Sequence, residues 1–163
     1  MERGKKKVRV KGGAVKKDRI QSRERGAGKF TSSLGKFSRT MPALARAQRL
    51  TERASYFGFD WPGTEQVWDK IEEEFNELKG AVSSGDKSRI GEEMGDLLFS
   101  LVNLSRFLGV EAEDALTQTA DRFINRFAHI ETRIREQGKT LAQASLEEMD
   151  SFWEEAKKVE RNL

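Results

Sequence analysis

The apolar positions divide the chain at about residue 40. Over 1–39 large apolar residues are sparse, and Lys, Arg, Gly and Ser dominate. From Met41 onward apolar residues recur at steps of three and four, the spacing of one helix face. This pattern predicts five helices. The first covers 42–56, with Pro42 in its first turn and Gly58 just past its end. Phe59-Asp60-Trp61-Pro62 reads as a turn. The second helix covers 64–83, with a stripe of Val67, Ile71, Phe75, Leu78 and Val82, and Ser83-Ser84-Gly85-Asp86 breaks it. The third covers 87–108, with Ile90, Met94, Leu97, Leu98, Leu101, Leu104 and Leu108 inward and Gly109 as its stop. The fourth covers 112–137, with a seam of Leu116, Ala120, Phe123, Phe127, Ile130 and Ile134, and Gly138 ends it. The last covers 146–159, capped by Ser145, with Glu148 completing a capping box. Long helices on short connections predict an all-α, antiparallel bundle.

Composition sharpens this picture. The 163 residues suffice for one domain with a real core, and two prolines leave long uninterrupted helical stretches. There is no cysteine, which excludes disulfides and thiolate metal sites. No apolar run approaches the roughly 20 residues that span a bilayer. The N-terminus is basic but lacks an apolar core, so no secretory signal is expected. These features predict a cytoplasmic protein with no membrane association.

The net charge of +3 conceals a split. Residues 1–39 hold 14 Lys and Arg against 3 Asp and Glu, while 40–163 hold 16 against 24. A basic, disordered tail over 1–39 is expected to precede an acidic domain over 40–163. The tail reads either as an arm for nucleic acid and other polyanions or as a solubilising extension. Aromatic residues do not interleave its most basic part.

The informative residues are the acids that interrupt apolar stripes. Glu74 lies three residues after Ile71 and four before Leu78, so it shares their face, and Glu77 follows one turn on. Glu93 stands in the same relation to Ile90 and Leu97, and Asp96 follows it. Glu72 and Glu92, by contrast, fit an ordinary solvated face. Two antiparallel helices presenting such pairs bring four carboxylates together, at a high electrostatic cost unless a cation compensates. No Lys or Arg is expected to point inward at those heights. A divalent cation held by Glu74, Glu77, Glu93 and Asp96 is the economical reading, and oxygen ligands suit Mg²⁺ or Mn²⁺. The Glu-x-x-His pattern of di-iron bundles is absent. The only histidine, His129, reads as a surface or packing residue. A carboxylate-held metal usually serves phosphates. Arg122 and Arg126, one turn apart, and Arg89, one turn before Glu93, could grip phosphate oxygens or simply balance surface acids.

Glu73-Glu74-Phe75-Asn76-Glu77 fits an EExxE motif, and Glu93-Met94-Gly95-Asp96 fits ExxD. The pair, followed by Leu97-Leu98-Phe99, resembles the MazG family of nucleoside triphosphate pyrophosphohydrolases. Colinear similarity extends over about 37–163, through Gly58-Phe59-Asp60-Trp61-Pro62, Val102-Asn103-Leu104, Arg122-Phe123, Arg126-Phe127 and Ser145-Leu146-Glu147-Glu148-Met149 to Trp153. It resembles that family's C-terminal catalytic domain. The resemblance implies an all-α NTP pyrophosphatase fold, working as a homodimer or larger homo-oligomer. It implies hydrolysis of a nucleoside triphosphate, ATP among them, to the monophosphate and pyrophosphate. It implies Glu74, Glu77, Glu93 and Asp96 as metal ligands, and Lys70 and Glu73 facing nucleotide or metal-bound water. Arg89, Arg122 and Arg126 would contact phosphates. Trp153 would stack on the base, although packing of the last helix would equally explain it.

Three departures from the resemblance stand out. Many relatives carry two such domains, and one is found here. Ala120 occupies a position where Asn is frequent. Arg89 and Arg122 stand where Lys is common, and a flat guanidinium is not a point charge.

The implied mechanism is metal-assisted attack of water between the α and β phosphates. Glu73 or Glu74 would serve as proton acceptor, and the arginines would stabilise the leaving pyrophosphate. The rival readings are a pyrophosphatase restricted to dUTP, dCTP or phosphoribosyl-ATP, and a non-catalytic helical module that binds nucleic acid through its tail.

Overall fold

A computed structural model describes residues 32–38 and 40–161. The disorder expected over 1–39 falls on residues outside the described ones, apart from 32–38. That short stretch forms a turn near Leu34, whose carbonyl accepts a hydrogen bond from Arg53, and the Arg53 guanidinium lies 4.7 Å over the Phe37 ring.

All regular elements among the described residues are helical. They are α1 (Ala43–Ser55), α2 (Thr64–Ser84), α3 (Lys87–Phe107), α4 (Ala112–Glu136), a short 3-10 turn (Leu141–Gln143) and α5 (Leu146–Arg161). The predicted helices are all present, with ends displaced by one or two residues. The 3-10 turn is an addition that no apolar periodicity announced. No helix among the described residues is long and apolar enough to cross a membrane.

The chain forms two compact units, one ending at Ala112 and the other beginning at Glu113. In the first, α2 and α3 pack along each other, and α1 packs on α3. The α2–α3 connection is only Gly85 and Asp86. Gly85 adopts φ +72°, which a side chain would strain, and so turns the chain sharply. The Asp86 carboxylate then accepts from the backbone N–H of Ser88 at 3.0 Å and of Arg89 at 3.3 Å, capping α3. This tight link makes α2 and α3 an antiparallel hairpin.

The hairpin's core is Val67, Leu78 and Ala81 of α2 with Val102 and Leu104 of α3. The sequence stripe is only partly buried. Phe75, Val82, Met94, Leu98, Leu101 and Leu108 were expected inward and are exposed, while Ser100 and Asn103 are buried. The helices bury a mixed face of aliphatic and small polar residues, and the remaining large side chains form a second, exposed face. Asn103 Oδ1 accepts from Arg106 Nε at 3.1 Å, and Arg106 Nη1 donates to Asp60 Oδ2 at 3.0 Å. This network fastens the predicted 59–62 turn to α3.

In the second unit, Ile130, Ile134 and Phe152 form the core, with Leu141, Ala144, Met149 and Trp153 packed against it. The predicted capping box is formed. Ser145 Oγ accepts from Glu148 N at 3.2 Å, and Glu148 Oε2 accepts from Ser145 N at 3.0 Å. The first half of the predicted α4 seam differs, because Leu116, Ala120 and Phe123 are exposed.

Candidate metal and phosphate site

The α2–α3 hairpin brings Glu74, Glu77 and Glu93 together. One carboxylate oxygen from each lies within 4.8 Å of the other two. Glu74 and Glu77 are one turn apart on α2, and the antiparallel neighbour supplies Glu93 at the same height. Glu74 is only 5% exposed, which is unusual for a carboxylate on an otherwise apolar stripe. Asp96, the fourth expected ligand, is exposed and lies outside this grouping.

The expectation that no basic residue would meet these acids is corrected. Lys70 Nζ lies 2.7 Å from Glu74 Oε1 and 3.0 Å from Glu73 Oε1. Arg89 Nη2 donates to Glu93 Oε1 at 3.3 Å. Both pairs have the i,i+4 spacing of a helix, and long stems carry their cations to the buried Glu74 and the half-buried Glu93. That spacing was visible in the sequence; the reach of the stems was not. Hydrogen bonds to Glu74 first, then Glu73, hold the Lys70 ammonium well above the usual lysine range.

Two cations against three clustered carboxylates leave a negative excess. The Glu77 carboxyl is pushed above the usual glutamate range, chiefly by desolvation and only then by the charges of Glu93, Glu74 and Glu73. Oxygen-only donors, converging from two rigid helices and carrying surplus negative charge, fit a hard divalent cation.

The residues expected to contact phosphate and base in the second unit form a cluster of their own. Arg126 donates to Glu160 Oε2 from Nη2 at 2.6 Å and from Nε at 3.0 Å. Its guanidinium lies 5.3 Å from the centre of the Trp153 ring, which is tilted against Phe123 at 5.2 Å. Trp153 also packs on the unit's core, so its packing role is established. Arg122 is exposed and donates to Thr119 Oγ1 at 2.7 Å. Glu160 was not anticipated, since it stands 34 residues from Arg126 and no local spacing links them. His129 is half-buried, with Nε2 3.4 Å from Glu155 Oε1, in keeping with a packing residue.

Residues 63–130, which hold all three clustered acids, match the MazG nucleotide pyrophosphohydrolase domain family. That segment carries a MazG domain. The chain is 45% identical over 138 residues to the nucleoside triphosphate pyrophosphohydrolase/pyrophosphatase MazG of Thermotoga maritima, covering 85% of this chain and 52% of that protein. It is 37% identical over 150 residues to the nucleoside triphosphate pyrophosphohydrolase of Escherichia coli K12, covering 90% of this chain and 56% of that protein. A shorter match, 54% identical over 69 residues, links 42% of this chain to 14% of the YabN protein of Bacillus subtilis. The chain spans about half the length of the two pyrophosphohydrolases. The all-helical architecture accords with the MazG domain.

Proposed function

We propose that this MazG-domain chain hydrolyses nucleoside triphosphates, ATP among them, to the nucleoside monophosphate and pyrophosphate. The observation that carries the reading is the convergence of Glu74, Glu77 and Glu93 within 4.8 Å, inside the segment that matches the family. Glu74, Glu77 and Glu93 would hold Mg²⁺, or Mn²⁺ in its place, with Asp96 supplementing them from the next turn of α3. The ion, when bound, would polarise the phosphate chain and ease ionisation of the attacking water. The chain's own groups do the rest. Glu73 or Glu74 accepts the proton of that water, Glu73 being the more exposed of the two. Lys70, Arg89, Arg122 and Arg126 bind phosphate oxygens and stabilise charge on the departing pyrophosphate. Trp153 contributes an aromatic face for the base. The site operates in a homodimer or larger homo-oligomer in the cytoplasm, the basic segment before residue 40 being open to polyanions.

The test is pyrophosphate release from a panel of nucleoside triphosphates, including dUTP and dCTP, with Mg²⁺ titrated. Glu74→Ala is expected to abolish release. Unchanged turnover in that variant would overturn the assignment. Turnover confined to one nucleotide of the panel would mark a narrower pyrophosphatase.

A further inference from the structure

Glu74 combines two features that rarely coincide. It is almost fully buried, and it belongs to a cluster proposed to receive a cation from outside. A buried carboxylate without a compensating charge is strongly disfavoured. The Lys70 ammonium supplies that charge at 2.7 Å, while keeping a second contact, 3.0 Å away, on the exposed Glu73. The two contacts differ in setting, since the Glu74 side chain is 6% exposed and that of Glu73 is 56% exposed.

We propose that Lys70 is the resident counter-cation of the cluster, and that a divalent ion entering among Glu74, Glu77 and Glu93 displaces its ammonium from Glu74. This rests on reading the cluster as a metal site. Lysine suits the role chemically. Its ammonium is compact, its four-carbon stem is flexible, and it makes no rigid bidentate fork that would have to be broken as a unit. Glu73, already 3.0 Å from the ammonium, retains it at the solvent edge of the cluster once Glu74 is taken. Two cations that share one carboxylate oppose each other by linkage. Whatever the Lys70–Glu74 pair contributes to the metal-free protein is subtracted from the affinity for the ion. The arrangement keeps the acids folded inward before loading.

The experiment is a calorimetric titration with Mn²⁺, without nucleotide, of the wild-type protein, Lys70→Met and Lys70→Arg. It is paired with side-chain ¹⁵N NMR of the Lys70 ammonium on adding Mg²⁺. Lys70→Met is expected to bind Mn²⁺ about tenfold more tightly than wild type, in the usual range of coupling between competing sites. Lys70→Arg, whose planar fork is harder to displace, is expected to bind Mn²⁺ no more tightly than wild type, and Mg²⁺ is expected to shift the Lys70 ammonium signal. Unchanged or weaker binding by Lys70→Met overturns the proposal. An ammonium signal unmoved at saturating Mg²⁺ does so as well, because Lys70 would then act only as a fixed neighbouring charge. Circular dichroism verifies that Lys70→Met is folded; if it is not, the NMR shift in wild type decides alone. Absence of any Mn²⁺ binding by wild type defeats the metal reading itself, whereas wild-type binding with no gain in Lys70→Met defeats the displacement alone.

Discussion

The side chain of Gln48 holds the backbone on both sides of Glu111: its Oε1 accepts from Ala112 N at 2.8 Å, and its Nε2 donates to the Val110 carbonyl at 3.0 Å. The amide is buried, and both of its ends are satisfied. A helix interior thus anchors the strand of chain that leads into α4. Replacing Gln48 by Leu leaves a buried N–H and a carbonyl without partners, at about 1–3 kcal/mol for each unsatisfied group. Gln48→Leu is expected to lose about 2 kcal/mol, a melting temperature lower by roughly 5 °C. Gln48→Glu keeps an acceptor for Ala112 but sets an oxygen against the Val110 carbonyl, and is expected to lose at least as much. Thermal melts of both variants check this, and a melting point equal to wild type for Gln48→Leu would refute it.

Glu148 supports α5 through both carboxylate oxygens, one on Lys139 Nζ at 2.5 Å and the other on Ser145 N at 3.0 Å. The Lys139 hydrogen bond first, then the Ser145 backbone, hold its carboxyl below the usual glutamate range. The native state therefore binds fewer protons than the unfolded state between the two pKa values. Stability rises with pH through that window. It is fully present above the ordinary glutamate pKa and lost as pH falls towards the native one. Glu148→Gln keeps an acceptor for Ser145 and loses the charge opposite Lys139. It is expected to melt below wild type at neutral pH, and the gap is expected to close in acid. Melting curves for both proteins from neutral pH down to the acid limit test this, and a gap independent of pH would contradict it.

The capping box and the lysine show what the sequence disclosed and what it withheld. Ser145 and Glu148 act within one turn, so their relation is a spacing, and spacings are legible. Glu74 was legible for the same reason, since an acid between Ile71 and Leu78 must share their face. The Lys70–Glu74 pair was equally local. It was missed because a lysine's reach depends on where its neighbours leave room. Arg126–Glu160 and Gln48–Ala112 join residues 34 and 64 positions apart. Such pairs follow from how helices pack, which no single helix encodes. The same limit explains the overestimated stripes. Periodicity locates an apolar face, but it cannot say whether Phe75 or Leu98 meets this chain or something else.

The cluster geometry ranks the acids. Glu74, Glu77 and Glu93 already converge, and Asp96 does not. Glu74→Gln is expected to weaken Mn²⁺ binding on the order of 100-fold, the upper end of what even a supporting contact to a metal ligand costs. Asp96→Asn is expected to weaken it about tenfold, the lower end of that range. Chelation with EDTA is expected to stop pyrophosphate release, and added Mg²⁺ to restore it. Calorimetric titration of the two variants gives the ranking directly. Equal losses would place Asp96 in the primary ligand set, against this prediction.

The exposed face of the α2–α3 hairpin carries Trp68 at 54%, Phe75 at 50% and Leu98 at 47% exposure. Between the helices runs a groove of about 470 Å³ lined by the apolar Trp68, Ile71, Phe75, Leu97 and Leu101, with the acids Asp69 and Glu72 beside them. Contiguous apolar surface of this kind marks an interaction site, because each exposed square ångström forgoes about 25 cal/mol of burial. A second copy presents the same surface, and an isologous pairing would cover both at once. The protein is therefore expected to run in light scattering at a multiple of its 18.6 kDa chain mass. Phe75→Lys sets a charge in the groove without touching the buried residues Val67, Leu78 and Ala81. It is expected to shift the mass towards that of one chain while the helical circular dichroism signal persists. A wild-type protein that scatters as a single chain at micromolar concentration would refute self-association through this face.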